Sequence, residues 1–327
     1  MNLKRRRISR SSLIRVGITM GDPSGIGPLI IAKALKIIDK PARFYIIGDR
    51  WVFSKSLKIC QLELKDINFI DLNNVNHRYF RFGKIKSEYG RASIEYLDRA
   101  LELIRAKKID CLVTCPISKK AINLAGFPYV GHTEYFSSNF NNQDLVMMLL
   151  NNKLKISLVT RHLPLRDVPS TLTQDKIYKT TLLSYKALKK LFLIKEPHLV
   201  ICGLNPHASD NGLLGNEEER IIKPAVKNLK RIIKYIDGPL PSDVAISRTY
   251  QKQYDCVVAM YHDQALIPLK LLSYEIGVNL TLGLDFIRTS PLHGTAFDIA
   301  GTELADPSSL IAAIKLAIQC TLNLRRV

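Results

Sequence analysis

Three histidines each follow an apolar run that is predicted to be a buried β-strand. His162 comes shortly after the run KISLVT, His207 after HLVICGL and His262 after DCVVAM. Ligands of open α/β sheets bind beyond the carboxyl ends of the strands, so these side chains are predicted to lie at a functional edge. Three imidazoles that leave one position open can hold a divalent metal, which activates a bound water or alcohol. The long separations leave a second interpretation open, in which the histidines belong to unrelated loops.

Two further segments have residues that are suited to a ligand. In Gly131-His132-Thr133-Glu134, His132 and Thr133 could donate hydrogen bonds to an anion, or Thr133 could simply cap a helix. The segment GDPSGIG at 21–27 lies between a predicted strand and a predicted helix. Its glycines would let the backbone approach a ligand, or form a tight turn. It matches neither the P-loop nor the G-x-G-x-x-G pattern.

The elements that position these residues alternate between short apolar runs and longer amphipathic runs. This alternation predicts an α/β fold with a mostly parallel sheet covered by helices. The predicted strands are short and rich in Val, Ile and Leu, and they cover 15–19, 43–47, 111–114, 156–160, 198–202 and 256–260. Helices are predicted over 93–106, 173–193 and 308–324, and another is predicted to start at Glu217–Glu219 with Asn216 as its cap. The length of 327 residues favours two domains.

The chain is strongly basic, with 48 Lys and Arg against 29 Asp and Glu and a net charge of +19. Such a charge is typical of proteins that bind nucleic acids or anionic surfaces. No RNA- or DNA-binding signature accompanies it, so we favour a compositional bias together with a solvated tail, and we expect no nucleic-acid partner. Residues 1–12 are expected to form a disordered basic tail.

The cysteines and the apolar segments favour a cytoplasmic protein that does not cross a membrane. None of the six cysteines forms a C-x-x-C pair, and we expect them to be reduced residues of the core. Arg15 interrupts the first apolar stretch, so the N-terminal segment is not expected to be a secretory signal. No apolar run reaches about 18 residues, the least that spans a bilayer.

Segments along nearly the whole chain resemble those of 4-hydroxythreonine-4-phosphate dehydrogenases, bacterial enzymes of pyridoxal phosphate (vitamin B6) biosynthesis. They are GITMGDPSGIGP, PISK, GHTE, TRHLPLRDVP, LNPHASDNGLLGNEE, GPLPSD and YHDQALIPLK. A further segment, PLHGTAFDIAGTELADP, is similar to the adenosine-binding loop of the isocitrate and isopropylmalate dehydrogenases. The resemblance implies two α/β/α lobes around a central cleft. It predicts a first lobe from 13–135 plus 280–327, and a second lobe from 136–279 that carries metal ligands and dimer contacts.

The resemblance also implies an activity and its cofactors. The expected reaction is the NAD-dependent oxidation of 4-(phosphooxy)-L-threonine, with decarboxylation to 3-amino-2-oxopropyl phosphate. His162, His207 and His262 would be the metal ligands, with His262 contributed across the interface of a homodimer. Zinc suits imidazole ligands best, and magnesium, cobalt and manganese are also compatible with an open site.

Other functional residues are carried over from the same resemblance. The expected substrate-binding residues are His132, Thr133, Lys270, Asn279 and Arg288. The expected cofactor-binding residues are His293, Gly294, Thr295 and Asp298. A carboxylate at Asp298 would accept bonds from the ribose hydroxyls and repel a 2′-phosphate, which favours NAD over NADP. The catalytic base is expected among Asp263, Asp243 and Lys119, which the sequence does not rank.

The sequence departs from the family pattern at two places, and two alternative activities stay open. It reads Ala208-Ser209-Asp210 where the family commonly has Ala-Gly-Glu, and Leu292 stands where the family often has an acid. A sister enzyme of the family, which acts on phosphorylated four-carbon sugar acids such as threonate or erythronate phosphate, is the nearest alternative. A phosphate acyltransferase, which shares the lobe architecture, is a remote one.

Overall fold

The computed structural model describes residues 13–39, 42–64, 67–129, 131–140, 144–272 and 276–326. Their contacts divide them into two units. The first unit is drawn from Met1–Gly131 and Gly294–Leu322, and the second from His132–His293 and Asn323–Val327. The predicted basic tail, residues 1–12, lies outside the described residues.

The described residues form eleven β-strands and eleven α-helices. The strands are β1 (Ile14–Thr19), β2 (Ala42–Gly48), β3 (Asn68–Asp71), β4 (Cys111–Thr114), β5 (Val146–Leu150), β6 (Lys155–Leu158), β7 (His198–Cys202), β8 (Tyr235–Leu240), β9 (Cys256–Ala259), β10 (Val278–Leu282) and β11 (Ile287–Pro291). The helices are α1 (Gly27–Ile37), α2 (Arg50–Ile59), α3 (Ser87–Arg105), α4 (Lys119–Leu124), α5 (His132–Asn139), α6 (Val168–Thr171), α7 (Gln174–Lys190), α8 (Lys223–Leu229), α9 (Ser242–Tyr250), α10 (His262–Leu272) and α11 (Ser308–Leu324). A π-helical turn at Glu218–Ile222 precedes α8.

The first unit contains a parallel sheet with the strand order β3-β2-β1-β4. Its central strand β1 has residues such as Val16 and Ile18 that are completely buried. Strands that are buried on both faces favour apolar side chains, and Ile and Val supply three of the six residues of β1.

The second unit contains the strands in the order β11-β10-β5-β6-β9-β7-β8. The strands from β6 to β8 pair in parallel, whereas β5, β10 and β11 pair antiparallel with their neighbours. Because β10 pairs with β5 and β11 with β10, residues 280–293 belong to the second unit. The predicted lobes differ from this division, since they placed 280–293 and 132–135 in the first lobe.

The predicted α/β fold class with mostly parallel strands is confirmed. All six predicted strands are present, with ends that differ by at most two residues from the prediction. Helix α11 covers the predicted residues, and the Asp306 side chain accepts a hydrogen bond from the backbone N–H of Ser308. The sequence did not predict β3, β5, β8, β10 and β11. Of these, β8 contains Gly238-Pro239, which is typical of turns, and β3 is largely exposed.

The helix predicted to start at Glu217–Glu219 is present, because the carbonyl oxygen of Asn216 accepts the backbone N–H of Arg220 at 2.9 Å and a π-helical turn covers Glu218–Ile222. The predicted side-chain cap is not found among the described residues, since no side chain caps the start of this turn. Glu218, predicted in the first turn of this helix, is completely buried. The physical reason is that its carboxylate accepts hydrogen bonds from Leu204 and Asn205, which are distant in sequence.

The cysteines are placed as the sequence predicted, in the core of the protein. All six are free, five are buried and Cys60 is half-buried. None of the helices in the described part of the chain has the length and apolarity that crossing a membrane requires.

The segment between β1 and α1 is a tightly packed turn with a buried carboxylate. Gly21 has a φ of +69°, and a Cβ atom there would lie 2.2 Å from the carbonyl oxygen of Pro116. Asp22 is fully buried, and its Oδ1 accepts the backbone N–H of Ser24 at 2.9 Å. Its Oδ2 has no hydrogen-bond partner among the described residues. Burial raises the pKa of Asp22 from 3.8 to about 7.

Substitution of Asp22 should change how stability depends on pH. Because the pKa of Asp22 is raised in the folded chain, its contribution to stability is complete below the ordinary pKa of 3.8 and is lost as the pH rises through about 7. Asp22→Asn cannot ionise. Relative to the parent chain, its free energy of unfolding should therefore rise by on the order of 2–3 kcal/mol between about pH 5 and pH 8.

Urea unfolding at the two pH values measures this difference. Asp39→Asn, which alters an exposed carboxylate of the same unit, is the matched control and should show no such change. An equal stability difference at both pH values for Asp22→Asn would contradict the prediction.

Candidate active site

The three strand-end histidines lie at one edge of the second unit. Strands β6, β9 and β7 are neighbours and run parallel, so their carboxyl ends meet at the same edge. His162 follows β6, His207 follows β7, and His262 begins α10 just beyond β9. The structure thus places each histidine after the strand that the sequence predicted, while their role as metal ligands stays a prediction.

Two of these histidines are close to each other. The ring centroids of His162 and His262 are 5.7 Å apart, and both residues line a cavity of about 220 Å³. Nδ1 of His262 lies 2.6 Å from Oδ1 of Asp263, which leaves Nε2 as the ring nitrogen that can bind a ligand. Within one chain, the described residues contain no group of three His, Cys, Asp or Glu side chains that could hold a metal. His207 therefore does not complete a site with this pair in a single chain.

The turn that carries His207 has a left-handed backbone. Five consecutive residues have positive φ angles: His207 (53°), Ala208 (52°), Ser209 (69°), Asp210 (45°) and Asn211 (57°). A left-handed conformation costs a residue with a Cβ atom about 1–2 kcal/mol. Such strain persists only where the surroundings enforce it, and it is common at functional sites. Ser209 stands where the family commonly has glycine, so this departure falls at a position that favours glycine.

A buried guanidinium lies between β11 and α5. Arg288 is only 1% exposed, and its Nη1 donates a hydrogen bond to Oγ1 of Thr281 at 3.0 Å. The guanidinium carbon is 5.4 Å from the ring centroid of Phe136, a favourable cation–π distance. Arg288 pairs with Thr281 in the ladder, and Asn279 lies on the same face of β10 as Thr281 because side chains alternate along a strand.

The polar groups around Arg288 form an environment that suits an anion. Burial lowers the pKa of Arg288 to about 9, which leaves the side chain charged at neutral pH. Burial and the charge of Arg288 hold the pKa of His132 well below its usual value, so His132 is neutral. Nε2 of His132 and Oδ1 of Asn279 are buried without a hydrogen-bond partner among the described residues. A phosphate or carboxylate group would be attracted by the guanidinium and would accept a hydrogen bond from Nε2 of His132 in the tautomer that carries the proton there. Oδ1 of Asn279 is an acceptor and suits a hydroxyl or amine donor of a ligand.

The other predicted substrate-binding residues differ in exposure. Thr133 is buried in α5 next to His132, whereas Lys270 is exposed on α10. The structure thus gathers His132 and Arg288, with Asn279 on the adjoining strand, and leaves Lys270 on the surface.

The predicted catalytic bases lie on three different helices. Asp263 is exposed at the start of α10 and contacts His262, and Asp243 is exposed in the first turn of α9. Lys119 is exposed at the start of α4, in the first unit.

The predicted cofactor-binding segment of the first unit is fixed by backbone contacts. The carbonyl oxygen of Thr295 accepts a hydrogen bond from the backbone N–H of Ile26 at 3.0 Å. Gly294 and Asp298 are exposed, and His293 belongs to the second unit and is half-buried. The segment is therefore tied to the glycine-rich turn before α1, with a glycine and a carboxylate accessible to a ligand.

Gln264 was not singled out by the sequence. Its Oε1 accepts the backbone N–H of Met260 at 2.6 Å, and its Nε2 donates to the carbonyl oxygen of Gly203 at 2.9 Å. Gln264 thereby joins the segments that lead to His262 and His207. Gln264 lies in the segment YHDQALIPLK. Its contacts join residues that are far apart in the chain, so no spacing in a single sequence could have predicted them.

Comparison with known proteins identifies the relatives of this chain. The model of the family "Pyridoxal phosphate biosynthetic protein PdxA" matches residues 40–317. A 4-hydroxythreonine-4-phosphate dehydrogenase of Sulfurihydrogenibium sp. (strain YO3AOP1) is 46% identical over 317 residues, covering 94% of this chain and 98% of the relative. A D-threonate 4-phosphate dehydrogenase of Salmonella typhimurium is 39% identical over 325 residues, covering 93% of this chain and 98% of the relative.

Solved structures agree with these relatives. The crystal structure of a 4-hydroxythreonine-4-phosphate dehydrogenase from Klebsiella pneumoniae has a TM-score of 0.84 at 34% identity, covering 95% of this chain and 98% of that chain. An isocitrate dehydrogenase from Methylococcus capsulatus shares the fold, with a TM-score of 0.51 at 14% identity, covering 96% of this chain and 88% of that chain.

The fold and these relatives define an oxidoreductase, as the sequence predicted. The chain belongs to the family of the pyridoxal phosphate biosynthetic protein PdxA, which confirms the resemblance found in its sequence segments.

The buried guanidinium should bind inorganic phosphate. Phosphate at about ten times its dissociation constant should stabilise the parent chain by about 1.4 kcal/mol, seen as a higher melting temperature. Arg288→Gln should lose this stabilisation, because it removes the positive charge that attracts the phosphate. Arg99→Gln, which alters an exposed guanidinium beside Glu102, is the control. Equal stabilisation of the Arg288→Gln variant would exclude Arg288 from the anion site.

Proposed function

We propose that this chain is a NAD-dependent and divalent-metal-dependent 4-hydroxythreonine-4-phosphate dehydrogenase of pyridoxal phosphate biosynthesis. It oxidises the secondary hydroxyl of 4-(phosphooxy)-L-threonine, and the resulting β-keto acid loses carbon dioxide to give 3-amino-2-oxopropyl phosphate. The proposal includes a cytoplasmic homodimer whose active site is shared between subunits.

The observation that carries this proposal is the buried guanidinium of Arg288 beside neutral His132, in the same unit as the strand-end histidines. A phosphorylated substrate supplies the dianion that such a pocket favours. The relatives named as dehydrogenases of 4-hydroxythreonine phosphate and of threonate phosphate both take substrates of this chemical class.

The proposed metal ligands are His162 and His207 of one subunit and His262 of the second subunit. Their imidazole donors fit a divalent metal such as zinc, cobalt, manganese or magnesium, and the Asp263 contact fixes which nitrogen of His262 is offered. A shared site agrees with the finding that one chain does not gather three such ligands among its described residues. When bound, the metal supplies Lewis acidity toward the hydroxyl, and NAD supplies the hydride acceptor.

The remaining roles belong to side chains of this protein. Arg288 binds the phosphate and orients the substrate, with Thr281 holding the guanidinium in place. His132, Thr133, Asn279 and Lys270 provide further polar contacts to the substrate. Because Asp263 is engaged with His262, we assign it to orienting that ring, which leaves Asp243 and Lys119 as candidates for the base that takes the hydroxyl proton.

NAD is proposed to bind at the segment from His293 to Asp298. Gly294 and Asp298 are exposed, so the backbone of the first and the carboxylate of the second can meet adenosine. Thr295 holds the segment against the turn before α1.

The second candidate function is the oxidation of D-threonate 4-phosphate. It is favoured by the relative from Salmonella typhimurium. This chain aligns with 98% of that relative, the same share as for the relative from Sulfurihydrogenibium. The two substrates differ at one amino or hydroxyl group. The acyltransferase alternative is disfavoured, because the relatives from Sulfurihydrogenibium, Salmonella and Klebsiella are all named dehydrogenases.

NADH formation with each substrate tests the proposal. The purified chain should form NADH with 4-(phosphooxy)-L-threonine, a chelator should abolish this activity, and a divalent metal should restore it. Faster turnover of D-threonate 4-phosphate would replace the first function by the second. Turnover of the first substrate that is insensitive to chelation would contradict the metal assignment.

Replacement of His207 tests the metal ligands. His207→Ala should abolish turnover and strongly weaken metal binding, because it removes one of three donors. His77→Asn is the matched control, since His77 stacks on Trp51 in the first unit and has no proposed role. Near-normal activity of His207→Ala with metal still bound would overturn the assignment.

A further inference from the structure

The strained turn at His207–Asn211 is preceded by a segment that a buried glutamate holds. Glu218 is completely buried at the start of the π-helical turn. Its Oε1 accepts the backbone N–H groups of Leu204 and Asn205, each at 2.8 Å. Its Oε2 accepts Nδ2 of Asn205 at 2.9 Å. One carboxylate thus fixes the backbone and the side chain immediately before Pro206 and His207.

The neighbouring contacts leave this segment little room to move. A Cβ atom at Gly203 would lie 3.1 Å from Oε1 of Glu218, so the glutamate packs directly against the end of β7. Glu217 also accepts a hydrogen bond from Nδ2 of Asn205, at 2.8 Å. The carbonyl oxygen of Asn205 in turn accepts the N–H of Ala208 within the left-handed turn at 3.1 Å. The hydrogen bonds therefore run from Glu218 through Asn205 into the strained turn.

The carboxylate is suited to this task by its charge. It is an acceptor only, and the three groups facing it are all N–H donors. Hydrogen bonds to an ionised acceptor are stronger than those between neutral groups, particularly where water is excluded. π-Helical turns are often found at functional sites, which agrees with a turn that aims one side chain inward.

We propose that Glu218 is a positioning residue for His207. It keeps the turn left-handed and thereby holds the imidazole where it can bind metal. This inference rests on the proposed function, in which His207 is a metal ligand.

Cobalt binding to the full-length chain tests the inference. The affinity and the visible absorption spectrum of bound cobalt report the geometry of the ligands without requiring turnover. Glu218→Gln keeps the size of the side chain but places an N–H₂ group against N–H donors. It should lower the cobalt affinity by about 10–100-fold, the range seen when partners of metal ligands are removed, and alter the spectrum. Glu219→Gln, on the exposed and lysine-paired neighbour, should leave both unchanged.

Rescue by glycine separates positioning from a general loss of structure. Ala208→Gly makes the left-handed conformation intrinsically accessible, and it retains the backbone N–H that Asn205 accepts. Combined with Glu218→Gln, it should recover about fivefold in cobalt affinity, equivalent to about 1 kcal/mol. If Glu218 only supported the fold, Ala208→Gly would not restore metal binding.

The outcomes distinguish this inference from the proposed function. Parent chain that binds no cobalt would refute the metal assignment and the inference together. Parent chain that binds cobalt through His207, shown by loss of binding in His207→Ala, combined with unchanged affinity in Glu218→Gln, would overturn the inference alone. The melting temperature of each variant shows that it is folded when cobalt is added.

Discussion

The parallel pairing of β6, β9 and β7 is the constraint on which the candidate metal site depends. The register aligns Leu158 with Ala259, and Ile201 with Val258, so the three strands end close to one another. A histidine a few residues beyond each end is then confined to one edge of the sheet. In the proposed dimer, this edge would supply His162 and His207 to one site and His262 to the site of the second subunit. Gln264 reinforces this arrangement, because it hydrogen-bonds to the backbone beyond β9 and beyond β7. The ladder supplies the general position, and buried side chains supply the orientation.

The antiparallel strands of the same unit have a different role, which is to position Arg288. They bury Arg288, and this burial accounts for the lowered pKa of its guanidinium. The hydroxyl of Thr281 accepts a hydrogen bond from the guanidinium, and the ring of Phe136 lies 5.4 Å from the guanidinium carbon. A fixed cation of this kind binds an anion at little cost in side-chain entropy, because its geometry is already set. The substrate's phosphate would thus be recognised by a preformed pocket.

Sequence reasoning predicted most elements with strong local patterns, but it missed β5, a continuous buried apolar run, as well as strands without such patterns. Strand β7 is apolar after His198, and α11 has a clear capping residue in Asp306. Strand β8 contains a glycine and a proline, and β10 and β11 carry Asn279 and Arg288, so their composition does not indicate strands. Tertiary pairing overrides local preference in these cases. The grouping of residues 280–293 with the second unit follows from the same pairing.

The candidate site shows the same limit at the level of single side chains. Parallel strands end at one edge whatever loops follow, which is why the histidines could be located from the sequence. The burial of the Glu218 side chain could not be predicted from the sequence, because its partners Leu204 and Asn205 lie more than ten residues away. The acidic run at Glu217–Glu219 instead resembles the acidic first turn of a helix. The sequence also does not indicate the left-handed turn, because Ser209 occupies the position where a glycine would have suggested it. A residue with a Cβ atom can occupy that position only if other contacts compensate for the strain, and the buried carboxylate of Glu218 is placed to do so.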